Sequence, residues 1–171
     1  MRAIEQQAAY EALLRRFLAP LRRLAHAYTR DASEREDLFQ EIALALWTAL
    51  PHFRGDASER TWLYRVAHNT SMRFMAKATR RARHERAGEP DREPVSAANP
   101  ERSAIDDQRR ERLWAAVRAL PLPDRQLVML HLEGLSAAEV EAITGLSAGN
   151  VATRVTRARQ KLAASLRAED S

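Results

Sequence analysis

The residues whose chemistry is easiest to interpret lie near the C-terminus and could hydrogen-bond to nucleic-acid bases. After a glycine turn at Gly145, small polar side chains and arginines follow in the order Ser147, Gly149, Asn150, Thr153, Arg154 and Arg157. Hydroxyl, amide and guanidinium groups pair with base edges in the major groove. From Ala142 to Ala168 there are five basic residues and no acid, which predicts a helix that binds a polyanion. The 3- and 4-residue spacings predict that Asn150, Thr153, Arg154 and Arg157 share one side of this helix, with Lys161 further along as a phosphate contact.

A second group combines aromatic and basic residues. Between Arg60 and His84 there are seven basic residues and no acid, and Trp62 and Tyr64 stand beside Arg60 and Arg65. Because bases stack on aromatic rings while arginines bind phosphates, this composition suits single-stranded nucleic acid. The alternative is that either ring fills the edge of a hydrophobic core.

A short segment has the opposite charge, with four acids surrounding Arg35. Glu34, Asp37 and Glu41 recur at spacings of three and four, so they lie on one helix face. Such a face would repel DNA, and we interpret it as a docking surface for a basic protein partner rather than as a solvated face.

The sequence contains few features that indicate catalysis. Its five histidines have no metal-ligand spacing, it has no cysteine, and no glycine-rich phosphate loop or nucleophile motif is present. We therefore expect no catalytic residue, no metal and no cofactor. There is no signal-peptide core and no run of about 18 apolar residues, so we expect a soluble cytoplasmic protein without membrane insertion.

The elements that must position these residues are predicted to be helical throughout. The 171 residues include only 5 glycines and 7 prolines, which favours an all-α fold of two small helical domains joined by a flexible linker. The linker is placed at 85–105, where prolines and charges replace large apolar residues. The domains are therefore predicted at 1–84 and 106–168.

The N-terminal domain is predicted to contain three helices. The first spans 5–29 and should kink or break at Pro20. The second begins with a capping box at Ser33 and Glu36 and ends before Pro51, and the third follows a cap at Asp56 or Ser58 and runs to Arg83. Their buried residues are predicted to be Leu14, Phe17, Leu18, Leu21, Leu24, Ala25 and Tyr28, then Leu38, Ile42, Ala45, Leu46 and Ala49, then Leu63, Val66, Ala67, Thr70 and Phe74.

The C-terminal domain is predicted to contain a helix-turn-helix. Helices at 106–119, with Leu113, Val117 and Leu120 inward, and at 123–133 precede a capping box at Ser136 and Glu139. A short helix, the turn at Gly145 and a longer basic helix to Leu166 then follow, and the second helix of such a motif enters the major groove. Its inward residues are predicted to be Val151, Val155, Ala158, Leu162 and Leu166.

These motifs, taken in order, are similar to a known family. The runs are Asp37–Glu41, Trp47, Leu50–Asp56 and Arg60–Asn69, then Leu120–Gln126, Gly134–Val140 and Gly145–Leu162. They resemble the second and fourth regions of the bacterial extracytoplasmic-function (group IV) sigma factors. The chain has no room for the third region of larger sigma factors, in agreement with this minimal group.

The resemblance implies a role in transcription initiation and a set of contacts. Core RNA polymerase (its β′ and β subunits) and promoter DNA are the implied partners, and an anti-sigma factor is common in the family. The implied polymerase-binding residues are Asp37, Leu38, Gln40, Glu41 and Trp47. The implied contacts with a single-stranded −10 element are Arg54, Asp56, Ser58, Arg60, Thr61, Trp62, Tyr64, Arg65, His68, Asn69 and Arg73. Those with a duplex −35 element are Ser147, Gly149, Asn150, Thr153, Arg154, Arg157 and Lys161.

The sequence departs from the family pattern at four positions, which are Glu59, Glu141, Thr144 and Ala152. The last stands where many members have a lysine, so one phosphate contact would be lost. These departures bear on which promoter sequence is recognised rather than on the class of function.

Two other functions would explain part of the sequence. A stand-alone helix-turn-helix regulator would use the N-terminal domain for dimerisation or sensing, but it leaves the acidic face and the Trp62–Tyr64 cluster unexplained. A helical interaction module without DNA contact leaves the two acid-free basic helices unexplained. A sigma factor, which is a polymerase specificity subunit rather than an enzyme, accounts for all of these features.

Overall fold

The computed structural model describes residues 3–85 and 103–169. These residues form seven α-helices and one short 3-10 turn without any strand, which confirms the all-α fold class. The chain divides into two compact units between Val95 and Ser96. Most of the predicted linker at 85–105 lies outside the described residues, although helix already begins at Ser103.

The first unit consists of three helices that pack against one another. They are α1 (Ala3–Tyr28), α2 (Ala32–Ala49) and α3 (Glu59–Glu85), with the 3-10 turn at Leu50–His52 after α2. Pro51 lies in that turn and ends α2 close to the predicted position. The fully buried core is built from Leu21, Leu24, Leu38, Ile42, Leu46, Leu63 and Ala67.

Helix α1 differs from the prediction at two points. Pro20 does not break it, because the buried side chains of Phe17 and Leu21 on either side hold the helix against its neighbours. That packing outweighs the cost of about 3 kcal/mol for a proline inside a helix. The buried face also includes Leu13, whereas Leu18, predicted to be buried, is 41% exposed.

The N-termini of α2 and α3 are capped by different residue types. Asp31 caps α2, since its Oδ1 accepts a hydrogen bond from the Glu34 backbone N–H at 2.8 Å, so the capping box predicted at Ser33 is wrong. At α3 the prediction of Ser58 is confirmed, because its Oγ accepts a hydrogen bond from the Thr61 N–H at 3.0 Å.

The second unit is built around its last helix. It contains α4 (Ser103–Ala119), α5 (Leu122–Leu132), α6 (Ala137–Thr144) and α7 (Ala148–Glu169), and α7 packs against the other three. The predicted inward residues Val117, Leu120, Val151, Val155 and Ala158 are buried. Leu113 is not, since it is 41% exposed.

The predicted turn between α6 and α7 is confirmed in detail. Ser136 and Glu139 form the capping box at the start of α6. Gly145 ends α6 with a φ of 73°, a left-handed conformation that a side chain would strain. Its N–H donates to the Glu141 carbonyl at 2.8 Å, and the Thr144 hydroxyl accepts from the Leu146 N–H at 3.3 Å. Thr144, a departure from the family pattern, therefore stabilises the turn.

One residue of the Leu120–Gln126 motif has a structural role that the sequence alone did not indicate. Arg125 is buried at 7% exposure near the start of α5. Its Nη2 donates to the carbonyl oxygen of Leu120 at 3.0 Å and to that of Arg118. A cation that caps the last carbonyls of α4 stabilises that helix end and fixes α5 against it.

Candidate nucleic-acid and protein interfaces

Helix α7 has one face in the core and an opposite face in solvent. Val151, Val155 and Ala158 are buried, and the residues that lie opposite to them at 3.6 residues per turn are exposed. A shallow surface depression on that outer face is lined by Ala152, Thr153, Thr156, Arg157 and Gln160. Thr156 and Gln160 were not among the predicted contacts, although their position opposite the apolar stripe could have identified them.

Six of the seven predicted −35 contacts are exposed, and one is not. Those exposed are Ser147, Gly149, Asn150, Thr153, Arg157 and Lys161. Arg154 is half-buried beside the core face, and its guanidinium binds Asp124 of α5. Arg154 therefore lies at the edge of the arc that it shares with Thr153 and Arg157, about 70° from the centre of the buried face.

On α3, four of the predicted −10 contacts form an outward row. Trp62, Asn69 and Arg73 recur at helical spacing with Arg65 beside them, and Asn69 and Arg73 are exposed. Trp62 is half-buried because its ring lies against Phe53, with centroids 5.0 Å apart and the planes at 40°. The arrangement gives a row of polar and basic groups with an aromatic ring at one end.

The loop before α3 is tied down at both ends. Phe53 is anchored on Trp62, and Ser58 is engaged with Thr61, since their hydroxyl oxygens are 2.8 Å apart. Between these anchors Gly55 has a φ of 79°, and Arg54 and Asp56 are exposed. The loop therefore presents two exposed charged side chains on a fixed base, while the hydroxyl of Ser58 already serves as a helix cap.

Three predicted −10 contacts lie in the core instead. Thr61, Tyr64 and His68 are at most 4% exposed, because α3 packs on both α1 and α2 and so buries a wider arc than a single apolar stripe. The Tyr64 ring meets Phe17 edge-on, with centroids 6.5 Å apart. None of the three presents its side chain at the surface of the unit.

His68 is the most unusual of these buried residues. It is fully buried, and burial lowers its pKa to about 3. Its Nδ1 is hydrogen-bonded to the Tyr28 hydroxyl at 3.2 Å, while its Nε2 has no partner within the described residues. The ring is therefore neutral near pH 7 and belongs to the core.

The acidic face of α2 is exposed and includes an exposed apolar residue at its C-terminal end. Asp37, Gln40 and Glu41 are exposed, and Leu44, one turn further on, is 65% exposed among them. Glu41 also lies 3.9 Å from the Lys77 Nζ across an open groove that α2 and α3 form together. Leu44 was not a predicted contact, but its spacing of seven from Asp37 places it on the same face.

Two predicted polymerase contacts are not on this face. Leu38 is fully buried in the core, since it lies about 100° around the helix from Asp37. Trp47 is half-buried at the flank, where its ring meets Tyr10 edge-on at 5.1 Å. The Trp47 carbonyl also accepts a hydrogen bond from Gln6 Nε2 at 3.0 Å, so this residue joins α2 to α1.

The described residues contain no group of three or more histidine, cysteine or acidic side chains that could hold a metal ion. None of their helices is both long and apolar enough to span a bilayer.

Two family descriptions match the chain, one in each unit. Sigma-70 region 2 matches residues 13–81, and Sigma-70 region 4 matches residues 110–162. The first covers the three packed helices with the acidic face and the α3 row, and the second covers the helix-turn-helix. Together they account for more than half of the chain.

Two sigma factors are similar to this chain over most of their length. The ECF RNA polymerase sigma-E factor of Escherichia coli K12 is 29% identical over 164 residues, which is 91% of this chain and 85% of that protein. The RNA polymerase sigma-H factor of Pseudomonas aeruginosa is 28% identical over 162 residues, with 90% and 84% covered.

Two solved structures share the fold. The structure of CnrH in complex with the cytosolic domain of CnrY matches with a TM-score of 0.68 and 25% identity, covering 95% of this chain and 90% of that one. The sigma factor RpoE in complex with the anti-sigma factor NepR from Bartonella quintana matches with a TM-score of 0.73 and 24% identity, covering 93% and 97%. On the two family matches and the full-length relatives, the chain belongs to the extracytoplasmic-function sigma factors, which act in transcription initiation by RNA polymerase.

Proposed function

We propose that the two units divide promoter recognition between them. The N-terminal domain, 1–84, binds core polymerase and captures the −10 element as a single strand. The C-terminal domain, 106–168, reads the −35 element as duplex, and 85–105 link the two. The polymerase performs the chemistry in the cytoplasm, and this chain supplies promoter choice and strand opening without catalysis of its own.

The observation that carries the −35 assignment is the outer face of α7. It follows the glycine turn of a helix-turn-helix, is free of acids, and exposes hydroxyls, an amide and an arginine together at Thr153, Thr156, Gln160 and Arg157. The helix can place this face in a major groove while Val151 and Val155 stay in the core. Asn150 and Ser147, near its N-terminus, are then closest to base edges, and Lys161 is suited to phosphate.

Support for single-strand capture comes from the loop and the α3 row together. Arg54 and Asp56 project from a loop whose base is fixed by the Phe53–Trp62 pair. Unpaired bases would meet this loop and the exposed edge of Trp62, while Arg65 and Arg73 follow the phosphates. This arrangement needs no movement of the core residues Tyr64 and His68.

The acidic face of α2 is suited to the β′ subunit, the partner that the family resemblance implies. Asp37 and Glu41 supply charge to meet a basic surface, and the exposed Leu44 supplies apolar area beside them. A further contact with the β subunit rests on the resemblance alone. An anti-sigma factor is a candidate partner because the structural relative RpoE was solved with one.

The direct test is transcription by the chain with purified core polymerase. Run-off transcripts should appear only when the chain is added, and they should be lost when either promoter element is scrambled. Transcription from a template whose −10 region is already unpaired should still require the −35 element. Binding of duplex DNA without any polymerase-dependent transcript would instead support a stand-alone helix-turn-helix regulator.

Replacement of Trp62 should weaken single-strand capture. Trp62→Ala removes a stacking ring and the anchor of Phe53, so holoenzyme affinity for a single-stranded −10 oligonucleotide should fall by about 1–3 kcal/mol. Affinity for duplex −35 DNA should stay the same. Fluorescence anisotropy with the two DNA forms measures both values.

A matched control uses the other unit. Trp114 is also half-buried, so Trp114→Ala removes a ring of the same kind without touching the α3 row. It should leave single-strand affinity unchanged. If Trp62→Ala instead lowers the melting temperature and reduces both affinities in parallel, the ring serves only the core.

A further inference from the structure

The Arg154–Asp124 pair joins two helices that the helix-turn-helix must hold together. Arg154 lies in α7 and Asp124 in the first turn of α5, 30 residues earlier. Both Nε and Nη2 of the arginine bind the same carboxylate oxygen, at 2.9 and 2.7 Å. The two side chains are 35% and 18% exposed, whereas those of Arg16 and Glu59, which also form an ion pair, are 69% and 46% exposed.

Because it is partly buried, this ion pair is stronger than one between fully exposed side chains. Charge-assisted hydrogen bonds strengthen where water is excluded, and removal of one partner leaves the other charge without compensation. Asp124 also lies in the first turn of α5, where the positive end of the helix dipole interacts favourably with a negative charge. Arg125, the next residue, fixes the same end of α5 to α4, so α7 is attached to an element that is itself held in place.

The position of Arg154 on α7 argues against a role in reading bases. A guanine contact needs two parallel N–H donors pointed into the groove. Here one edge of the guanidinium binds Asp124, and Arg154 lies at the margin of the buried face, outside the depression lined by Thr153, Thr156 and Arg157. The exposed polar face can therefore enter a groove while Arg154 stays against α5.

We propose that Arg154 is a positioning residue, which with Asp124 sets the orientation of the recognition helix α7 on α5, and that base preference is carried by the outer face of that helix. This inference rests on the proposed −35 function. The pair determines how well every −35 sequence is bound, because it orients all of the reading residues at once. It does not determine which base is preferred at any single position.

The test is a binding selection with reconstituted holoenzyme on promoters randomised in the −35 element. The variants are Asp124→Asn, Arg154→Gln and their combination, with Arg157→Ala as the control on the outer face. All are compared at a low temperature at which circular dichroism shows each chain to be folded, so that a loss of overall stability alone leaves affinity unchanged. Each single variant should lower affinity about five- to tenfold for all sequences alike.

The double variant should lose no more than either single variant, because both remove the same contact. Arg157→Ala should change the preferred base at one or more positions. Loss of preference at a single position in Arg154→Gln, or a shallower salt dependence there, would overturn the proposal in favour of a base or phosphate contact. Unchanged affinity in both single variants would overturn it as well. A wild-type holoenzyme without any −35 preference would instead contradict the proposed function.

Discussion

Charge reversal at Asp37 and Glu41 should lower the affinity for core polymerase by a factor of about one hundred or more. Both carboxylates are exposed on α2 beside the exposed Leu44. Their replacement by lysine places like charges against a basic partner, which costs several kcal/mol, and each 1.4 kcal/mol is about a tenfold change in affinity. The domain should remain folded, since neither side chain enters the core. Titration of labelled core polymerase with Asp37→Lys/Glu41→Lys measures the effect.

The control reverses the same amount of charge elsewhere. Glu5 and Glu11 are exposed on α1, so Glu5→Lys/Glu11→Lys changes the net charge equally without altering the α2 face. We expect it to bind core polymerase nearly as the wild type does. Equal losses in the two double variants would show that net charge matters rather than this face, and undiminished binding by the α2 variant would remove the face from the interface.

Local signals in the sequence predicted the helix-turn-helix most accurately. The Ser136–Glu139 capping box, the left-handed Gly145 and the apolar stripe at Val151, Val155 and Ala158 are all formed as expected. Each depends on residues within a few positions of one another, so one sequence is enough to identify it. The sequence does not identify the N-cap of α2, because Asp31 and Ser33 are both favourable N-cap residues. The backbone conformation, which places the N-cap at Asp31, decides between them.

The sequence alone does not indicate how much of a helix surface is buried by neighbouring helices. His68 is predicted as a contact only because it lies inside a motif of the family, yet it is buried. Leu38 is predicted both as a core residue and as a contact, and Tyr64 as a contact with a core position as the alternative; the core position is the one observed for both. A residue within a functional motif can be there for packing, and a single sequence does not separate the two causes. The Arg154–Asp124 contact was missed for a related reason, since no local spacing brings α5 and α7 together.

Burial of His68 has a consequence for stability in acid. The folded state keeps the ring neutral, with its pKa lowered by burial to about 3, whereas the unfolded chain takes up a proton near pH 6.5. Below that pH the unfolded state binds more protons, so the His68 contribution to stability is complete above about pH 6.5 and is lost progressively down to about pH 3. The loss is roughly 1 kcal/mol for each pH unit.

The experiment compares wild type with His68→Gln, which cannot titrate but can still hydrogen-bond to Tyr28. In a Trp114→Phe background, Trp47 and Trp62 are the remaining tryptophans, and both report on the first unit. Urea unfolding should show the wild type losing roughly 2–3 kcal/mol more than His68→Gln between pH 7 and about pH 4.5. His131 is exposed in the other unit, so His131→Gln should follow the wild-type pH dependence.

Parallel losses in wild type and His68→Gln would mean that His68 takes up its proton in the folded state over this range. In that case the ring would be accessible to water, in contrast to its packing against Tyr28 and Tyr64.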